Sequence, residues 1–241
     1  MPIRSLCLLL LLLSANLASA SLPGARLQAI RSEAFSVCSN LLVYYNPNQD
    51  GSDPKHAERY RQDLQQLQQL LTEEQDPVLS TAAADMGRQI AELERQPASE
   101  AQLYPNWINP LLEAQTRLDQ QAAKRYAAAL PGEAQQLDLH RLSLNVERLL
   151  LLYETRTFGS LAVYVVSVDD NTFPQLDQQI LQGFNELQRQ WPQQVNELAK
   201  LKRKYDFIRP RLLQHDLDWV PSSAAYYLGQ VTDGLAKLDA E

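Results

Sequence analysis

Residues 63–71 read DLQQLQQLL, and this stretch decides the fold class. Its leucines stand at positions 64, 67, 70 and 71, three and four residues apart, with glutamines between them. That spacing places the leucines on one face of an α-helix and the glutamines on the others, as in an amphipathic surface helix. The same spacing recurs along the chain and glycine is scarce, with 8 residues in 241. The sequence therefore predicts an all-α fold.

Prolines divide the chain into helices, since proline fits the first turn of a helix but breaks its interior. Asp53-Pro54 and Asp76-Pro77 each pair an N-cap residue with a proline at the first helical position. Pro131, Pro174, Pro192, Pro210 and Pro221 mark further boundaries. The predicted helices are 22–45, 54–73, 77–96, 108–129, 133–167, 174–190, 192–208 and 222–238.

The predicted helix 133–167 is apolar on nearly every face, from Leu142 through Leu149–Tyr153 to Val166. A helix of that kind is surrounded by other helices, so we expect it to be the central element. Its end, AVYVVSV at 162–168, has the β-branched composition of a strand. No second run of this kind exists to pair with it.

A weak internal repeat divides the chain into similar halves, 21–130 and 131–241. FSVCSNLLVYYNPNQD at 35–50 and FGSLAVYVVSVDDN at 158–171 are each followed by a Leu/Gln helix, and NWINP at 106–110 matches DWVP at 218–221 in position. The repeat predicts two antiparallel helical bundles joined by the long central helix. The alternatives are a chance likeness and one continuous bundle domain.

The first 20 residues have the order of a secretory signal peptide. Arg4 precedes the apolar run Leu6–Leu13, and the small-residue stretch Ala18-Ser19-Ala20 follows. We expect cleavage near Ala20 and a periplasmic or secreted protein. No later stretch approaches the length of about 20 apolar residues that a membrane span needs.

The net charge limits the classes of molecule that the protein could bind, and the cysteine count limits the disulfides that it could form. The formal net charge is −7, which disfavours nucleic acid and anionic membrane as partners. Cys7 lies in the leader, so Cys38 has no intrachain partner. Its apolar neighbours at helical spacing predict a buried thiol, and an intermolecular disulfide is the alternative.

The stretch NPNQDGSD, 46–53, has part of the spacing of an EF-hand calcium loop. Asn46, Asn48, Asp50 and Gly51 match its positions 1, 3, 5 and 6, but Ala57 stands where the bidentate glutamate belongs. Asn, Pro, Asp, Gly and Ser are also the residues of ordinary bends. We therefore predict a bend, with no metal and no cofactor.

Catalytic motifs are missing from the sequence. The histidines His56, His140 and His215 are far apart and form no zinc-type pair, and HDLD at 215–218 is typical of a helix start. There is no G-x-S-x-G elbow, glycine-rich phosphate loop or C-x-x-C pair. We therefore expect a non-enzymatic protein. An enzyme would require catalytic residues that come together in space from distant helices.

The central helix carries polar groups on an apolar background. Arg141, Asn145, Arg148 and Thr155 lie along one face, with Glu147 and Glu154 on the neighbouring stripe. Buried charges cost several kcal/mol unless they are paired. One interpretation is pairing with opposite charges on neighbouring helices. The other is a site for a small organic anion such as a carboxylate, formed by Arg141, Asn145, Arg148, Tyr153 and Tyr164.

A basic stretch, KLKRKYDFIRPR at 200–211, stands out in this acidic chain. Leu201, Tyr205 and Ile208 form its apolar stripe, so the basic groups face outward. Most such runs are solvated faces. The alternative is a docking patch for an acidic protein partner or lipid headgroups, which a scaffold or adaptor would use together with the Gln-rich helix faces. The basic patch comprises Lys200, Lys202, Arg203, Lys204, Arg209 and Arg211.

Overall fold

The computed structural model describes residues 23–49, 53–129, 134–162, 171–214 and 218–240. Two 3-10 segments, Ala98–Leu103 and Pro192–Gln194, supplement the α-helices. The α-helices are α1 (Pro23–Tyr45), α2 (Pro54–Glu74), α3 (Pro77–Leu93), α4 (Pro105–Ala129), α5 (Ala134–Phe158), α6 (Thr172–Gln190), α7 (Val195–Leu213) and α8 (Pro221–Asp239). The all-α bundle expected from the sequence is confirmed.

Aspartate caps begin α2 and α3, as the Asp-Pro pairs predict. The Asp53 carboxylate accepts a hydrogen bond of 3.0 Å from the amide of Lys55. The Asp76 carboxylate accepts from the amides of Val78 and Leu79, at 2.8 and 3.1 Å. These bonds satisfy amides at the helix starts that have no partner within the helix.

The helices pack in the same order in each half of the chain. In the first half α1 packs against α2 and α4, and α3 packs against the same two helices; in the second half α5 packs against α6 and α8, and α7 packs against those two. The halves meet where α1 lies against α5 and α8. Whether this order reflects a true sequence repeat, and whether the halves are separate domains, stays a prediction.

Two apolar clusters form the core, and each borrows residues across the boundary at 130–133. The first belongs mainly to α1–α4 but includes Leu144, Leu151 and Phe158 of α5. The second belongs mainly to α5–α8 but includes Val43 of α1. The helices α1 and α5 therefore contribute side chains to both clusters.

Helix α5 is central, as predicted, but it ends at Phe158 and not at residue 167. Gly159 follows with a φ angle of +84°, the left-handed conformation in which glycine commonly ends a helix. The apolar composition of 161–166 misled the prediction, because the glycine outweighs it. The predicted site residue Tyr164 and most of AVYVVSV lie outside the described residues.

Pro210 was predicted to end a helix and instead lies inside α7, which runs on to Leu213. A proline inside a helix removes one backbone hydrogen bond. Ile208 and Leu212, on either side of it, are buried in the second cluster. Their burial holds the last turn in place.

Two further expectations concern the thiol of Cys38 and membrane-spanning segments. Cys38 is fully buried in the first cluster, so the buried thiol is confirmed, and burial raises its pKa above the ordinary range. Among the described helices, none is both long enough and apolar enough to cross a bilayer.

Candidate functional site

A cleft of about 740 Å³ opens between α1, α2, α5 and α8. Its walls come from both halves of the chain, since α1 and α2 precede residue 130 and α5 and α8 follow it. It lies where the two groups of helices meet, a place where binding sites commonly form in bundles. The cleft is the largest of three cavities described here, the others being about 310 and 200 Å³.

Helical spacing places the polar side chains of the cleft. On α1, Glu33 and Ser36 are three residues apart, and on α5, Ser143 and Glu147 are four apart, so each pair lies on one face. On α8, Tyr226 and Asp233 are seven residues apart and lie on one face in the same way. Each of these faces turns toward the cleft.

Arg59 of α2 forms a bridge along one wall. Its Nε donates to Asp63 Oδ1 at 2.8 Å, and its two terminal nitrogens donate to the Asp233 carboxylate at 2.9 and 3.2 Å. Asp63 Oδ2 also accepts from Ser36 Oγ at 2.5 Å. This network joins α2 to α1 and α8, and it fully engages the Arg59 guanidinium.

His56 adds a neutral group at the rim. Its Nδ1 lies 2.9 Å from Asn40 Oδ1, and burial lowers the pKa of its imidazole. The ring is therefore uncharged near neutral pH and donates from Nδ1 to Asn40.

Glu33 is a half-buried carboxyl group of the cleft. Its carboxyl makes no hydrogen bond and no ion pair to the described residues, although Arg59 is close enough to affect it. Burial and the neighbouring Asp63 raise its pKa from 4.5 to about 8. Near neutral pH this carboxyl group is mostly protonated.

Glu147 and Ser39 carry unsatisfied polar atoms. Only 6% of Glu147 is exposed, and its Oε1 accepts from Ser143 Oγ at 3.1 Å. Its Oε2 makes no hydrogen bond to the described residues, although the Ser32 hydroxyl is close enough to lower the pKa of the carboxyl group. Burial raises the pKa of Glu147 to about 7. The hydroxyl of Ser39, which is 1% exposed, is likewise without a partner in that part of the chain. Buried polar atoms are normally paired, and unpartnered ones also occur away from the cleft, for example at Gln115 and Glu154. Glu147 and Ser39 are the two residues with such atoms among those that line the cleft.

The arginines predicted to bind an anion face carboxylates of the protein instead. Arg141 is largely exposed and pairs with Asp138 at 2.7 Å and Glu186 at 3.2 Å. Arg148 Nη2 lies 3.7 Å from Asp119 Oδ2, and the Asp119 carboxylate also accepts from Arg31 Nε at 2.6 Å. Both contacts agree with the pairing interpretation of these charges.

The other predicted ligand residues, like the two arginines, lie away from the cleft. Asn145 and Tyr153 are buried, and the Tyr153 hydroxyl accepts from the Val220 amide at 2.9 Å. None of Arg141, Asn145, Arg148 and Tyr153 lines the cleft.

The two glutamates of α5, Glu147 and Glu154, form no ion pair with the described residues, in contrast to Arg141 and Arg148. Glu154 is 0% exposed, and neither carboxyl oxygen makes a hydrogen bond to the described residues, although the Thr157 hydroxyl is close enough to offset part of the effect of burial on its pKa. Burial raises its pKa well above the usual range, as it raises that of Glu147. Here the cost of a buried charge is avoided by protonation and not by ion pairing.

Most of the basic patch is neutralised by local ion pairs. Lys200 pairs with Glu197, Lys202 with Asp206, Arg209 with Asp177, and Arg211 with Asp218. Arg203 and Lys204 form no ion pair within the described residues. Beside them Phe207 is 66% exposed.

The loop after α1 serves as a bend that holds the end of α5. Asn46 Nδ2 donates to Thr157 Oγ1 at 3.0 Å, and Asn48 Nδ2 donates to the carbonyl oxygens of Thr157 and Phe158 at 2.9 and 3.1 Å. These bonds satisfy carbonyl groups at the helix end. The two asparagines of the calcium-like spacing are thus engaged with protein; Asp50 and Gly51 lie outside the described residues.

Among the described residues, no group of three or more His, Cys, Asp and Glu side chains is placed to hold a metal ion. The cleft is a cavity whose walls carry both carboxyl groups and apolar side chains. No protein-family model matches the chain, and neither a curated protein nor a solved structure matches it.

Proposed function

We propose that this chain is an exported, non-catalytic protein that binds a small molecule in the cleft between α1, α2, α5 and α8. The observation that carries the proposal is the pair of buried atoms without partners, Glu147 Oε2 and Ser39 Oγ, in a cleft of about 740 Å³. That volume is within the usual range for small-molecule sites. A ligand would supply the missing hydrogen bonds, whose absence otherwise costs about 1–3 kcal/mol per group.

A thermal-unfolding screen tests the proposal with organic amines, neutral alcohols and amides, organic acids and calcium. A ligand at about 100 times its Kd adds about 2.7 kcal/mol, and at this chain length each kcal/mol raises the Tm by about 2–4 °C. We expect at least one class of organic compound to raise the Tm by several degrees.

Two glycine variants show whether a compound binds in the cleft. Gly229 lies on the cleft wall, and nothing lies within 4 Å of a Cβ built there, so Gly229→Phe fills the cleft without a backbone clash. Gly87 on α3 has the same open surroundings away from the cleft, which makes Gly87→Phe the matched control. The Tm shift should vanish in Gly229→Phe and persist in Gly87→Phe. A screen without any shift, or a shift that survives in both variants, would contradict the proposal.

The small organic anion expected from the sequence is an alternative ligand. Its site at Arg141, Asn145, Arg148, Tyr153 and Tyr164 has less support, because both arginines already face carboxylates. An organic acid whose Tm shift is lost in Arg148→Ala and kept in Gly229→Phe would favour that site over the cleft.

A second function, binding of an acidic protein partner, rests on the exposed aromatic ring of Phe207 beside Arg203 and Lys204. Electrostatic docking of that kind weakens as salt screens the charges. Capture of an acidic protein should fall at high salt and in the variant that reverses Lys202, Arg203 and Lys204 to glutamate. Capture that ignores both salt and the variant would count against this function.

A further inference from the structure

The charge of the cleft selects among possible ligands. Five of its lining residues carry carboxyl groups, Glu33, Asp53, Glu58, Glu147 and Asp233, against the cations of Lys55 and Arg59. The Arg59 guanidinium is already bonded to Asp63 and Asp233. A bound anion would meet repulsion from the carboxylates of Asp53, Glu58 and Asp233, whereas a cation would be attracted by them, and Glu33 and Glu147 add to this field when they lose their protons.

The unpartnered atoms of the cleft are all hydrogen-bond acceptors or groups able to accept. Glu147 offers the buried Oε2, and the half-buried Glu33 offers a carboxyl group free of hydrogen bonds to the described residues. The buried hydroxyl of Ser39 lies nearly two turns of α1 beyond Glu33, so the two glutamates are the pair that one ammonium group can bridge. An ammonium group has three N–H donors and no acceptor, so it complements such a set.

A bare metal ion fits the cleft poorly. No metal-binding group of His, Cys, Asp and Glu occurs in the described part of the chain, and a cavity of about 740 Å³ is far larger than an ion. Apolar side chains also line the walls, among them Phe35, Leu150 and Tyr226. An organic cation would use both kinds of surface.

We propose that the cleft binds a small primary amine, whose ammonium group donates hydrogen bonds to the neighbouring carboxylates of Glu147 and Glu33. The carbon chain of the amine lies against Phe35 and Leu150. This inference rests on the proposed function, because it names the ligand class of the same cleft.

The electrostatic surroundings make binding depend on pH. Glu33 faces Asp63 and Arg59 of α2, Glu147 of α5 and Asp233 of α8, while Glu147 also faces Arg31 of α1 and Asp119 of α4. Burial is the largest cause of the raised pKa values of Glu33 and Glu147, about 8 and about 7. An ammonium ion favours the ionised carboxylates, so binding releases protons and tightens as the pH rises through this range.

Calorimetric titration of the purified protein tests the inference with 1-butylamine and 1,4-diaminobutane as probes. Neutral 1-butanol and anionic butyrate are the controls of similar size. We expect the amines to bind, with an affinity that rises from about pH 6 to about pH 8.5 and with release of protons measured in two buffers of different ionisation enthalpy. The neutral and anionic controls should bind at least about 10-fold more weakly.

Conservative variants identify the residues that hold the ammonium group. Glu147→Gln keeps the shape of the side chain and removes its charge, and should weaken amine binding about 10- to 100-fold. Glu33→Gln, at a less buried position, tests the same contact if Glu147→Gln fails to fold. Glu113→Gln, on the exposed surface of α4 and outside the cleft, is the matched control and should bind like the parent.

The outcomes separate the two proposals. Amine binding that is unchanged in both Glu147→Gln and Glu33→Gln, or that has no pH dependence, overturns the amine inference. Cleft binding of 1-butanol or butyrate in preference to the amines, abolished by Gly229→Phe, overturns it while the small-molecule function stands. If no probe of any charge binds, both proposals fail.

Discussion

Raising the pH from about 5 to about 9 is expected to lower the free energy of unfolding of this protein by on the order of 3–6 kcal/mol. The cause is a set of buried carboxyl groups that hold their protons in the folded state. The pKa of Glu33 is raised to about 8 and that of Glu147 to about 7, from an ordinary value of 4.5, and Glu154 is shifted in the same direction.

The sign follows from proton counts. Between the unfolded pKa and the raised folded pKa, the folded protein binds more protons than the unfolded chain, so stability falls as pH rises. At lower pH, groups whose pKa is lowered by folding have the opposite effect: they reduce the stability as the pH falls. Burial lowers the pKa of His56, and the stability that its neutral form contributes is lost as the pH falls through 6.5 and below. We therefore expect maximal stability on the acidic side of neutrality.

Chemical denaturation across this pH range measures the effect. Glu33→Gln combined with Glu147→Gln should flatten the decline, because the amide groups do not titrate. Glu58→Gln, whose side chain is exposed on the cleft rim, should leave the profile unchanged. A flat profile for the parent protein, or the same slope in the double variant, would show that these carboxyl groups are not protonated as described.

Asp177→Ala is expected to lower the free energy of unfolding by about 2–4 kcal/mol. The Asp177 carboxylate is buried between α6 and α7, where it accepts from Arg209 at 2.5 and 2.7 Å and from the Tyr205 hydroxyl at 2.8 Å. Burial alone would raise its pKa, but the hydrogen bonds from Arg209 and Tyr205 lower it below the ordinary value. Loss of the carboxylate leaves the buried Tyr205 hydroxyl without its acceptor.

Asp206→Ala is the matched control on α7. The Asp206 carboxylate pairs with Lys202 at 2.8 Å near the surface, and its side chain is 44% exposed. Exposed ion pairs contribute about 0–1 kcal/mol, so urea denaturation should separate the two variants clearly. Equal losses would mean that burial does not distinguish these two carboxylates.

The helices were largely predictable because their signals are local. Leucine spacing, the caps at Asp53 and Asp76 and the prolines that follow those caps act within one or two turns, and the structure confirms them. Pro174 and Pro192 mark their helix starts less closely, since α6 begins at Thr172 and α7 at Val195. The predicted helix ends are wrong where two sequence features of similar strength favour opposite outcomes. Gly159 ends α5 against an apolar run that favoured continuation, and core packing carries α7 through Pro210 against the rule that proline ends a helix.

The cleft was not predictable, because its walls come from four helices spread from residue 32 to residue 236. The sequence identifies Glu147 as a charged residue on an apolar helix, whereas Glu33 and Asp233 resemble ordinary surface acids. The expected partner for a buried charge was an opposite charge. Arg148 does face a carboxylate, and so does Arg141, which is largely exposed, whereas burial of Glu147 raises its pKa and favours the protonated form.

The exchange of apolar side chains between the two clusters has a consequence for how the chain unfolds. Val43 packs with the helices of the second half, and Leu144, Leu151 and Phe158 pack with those of the first. Opening either half would strip packing partners from the other. We therefore expect the halves to unfold as a single cooperative unit, and a chain cut between α4 and α5 to expose apolar surface on both fragments.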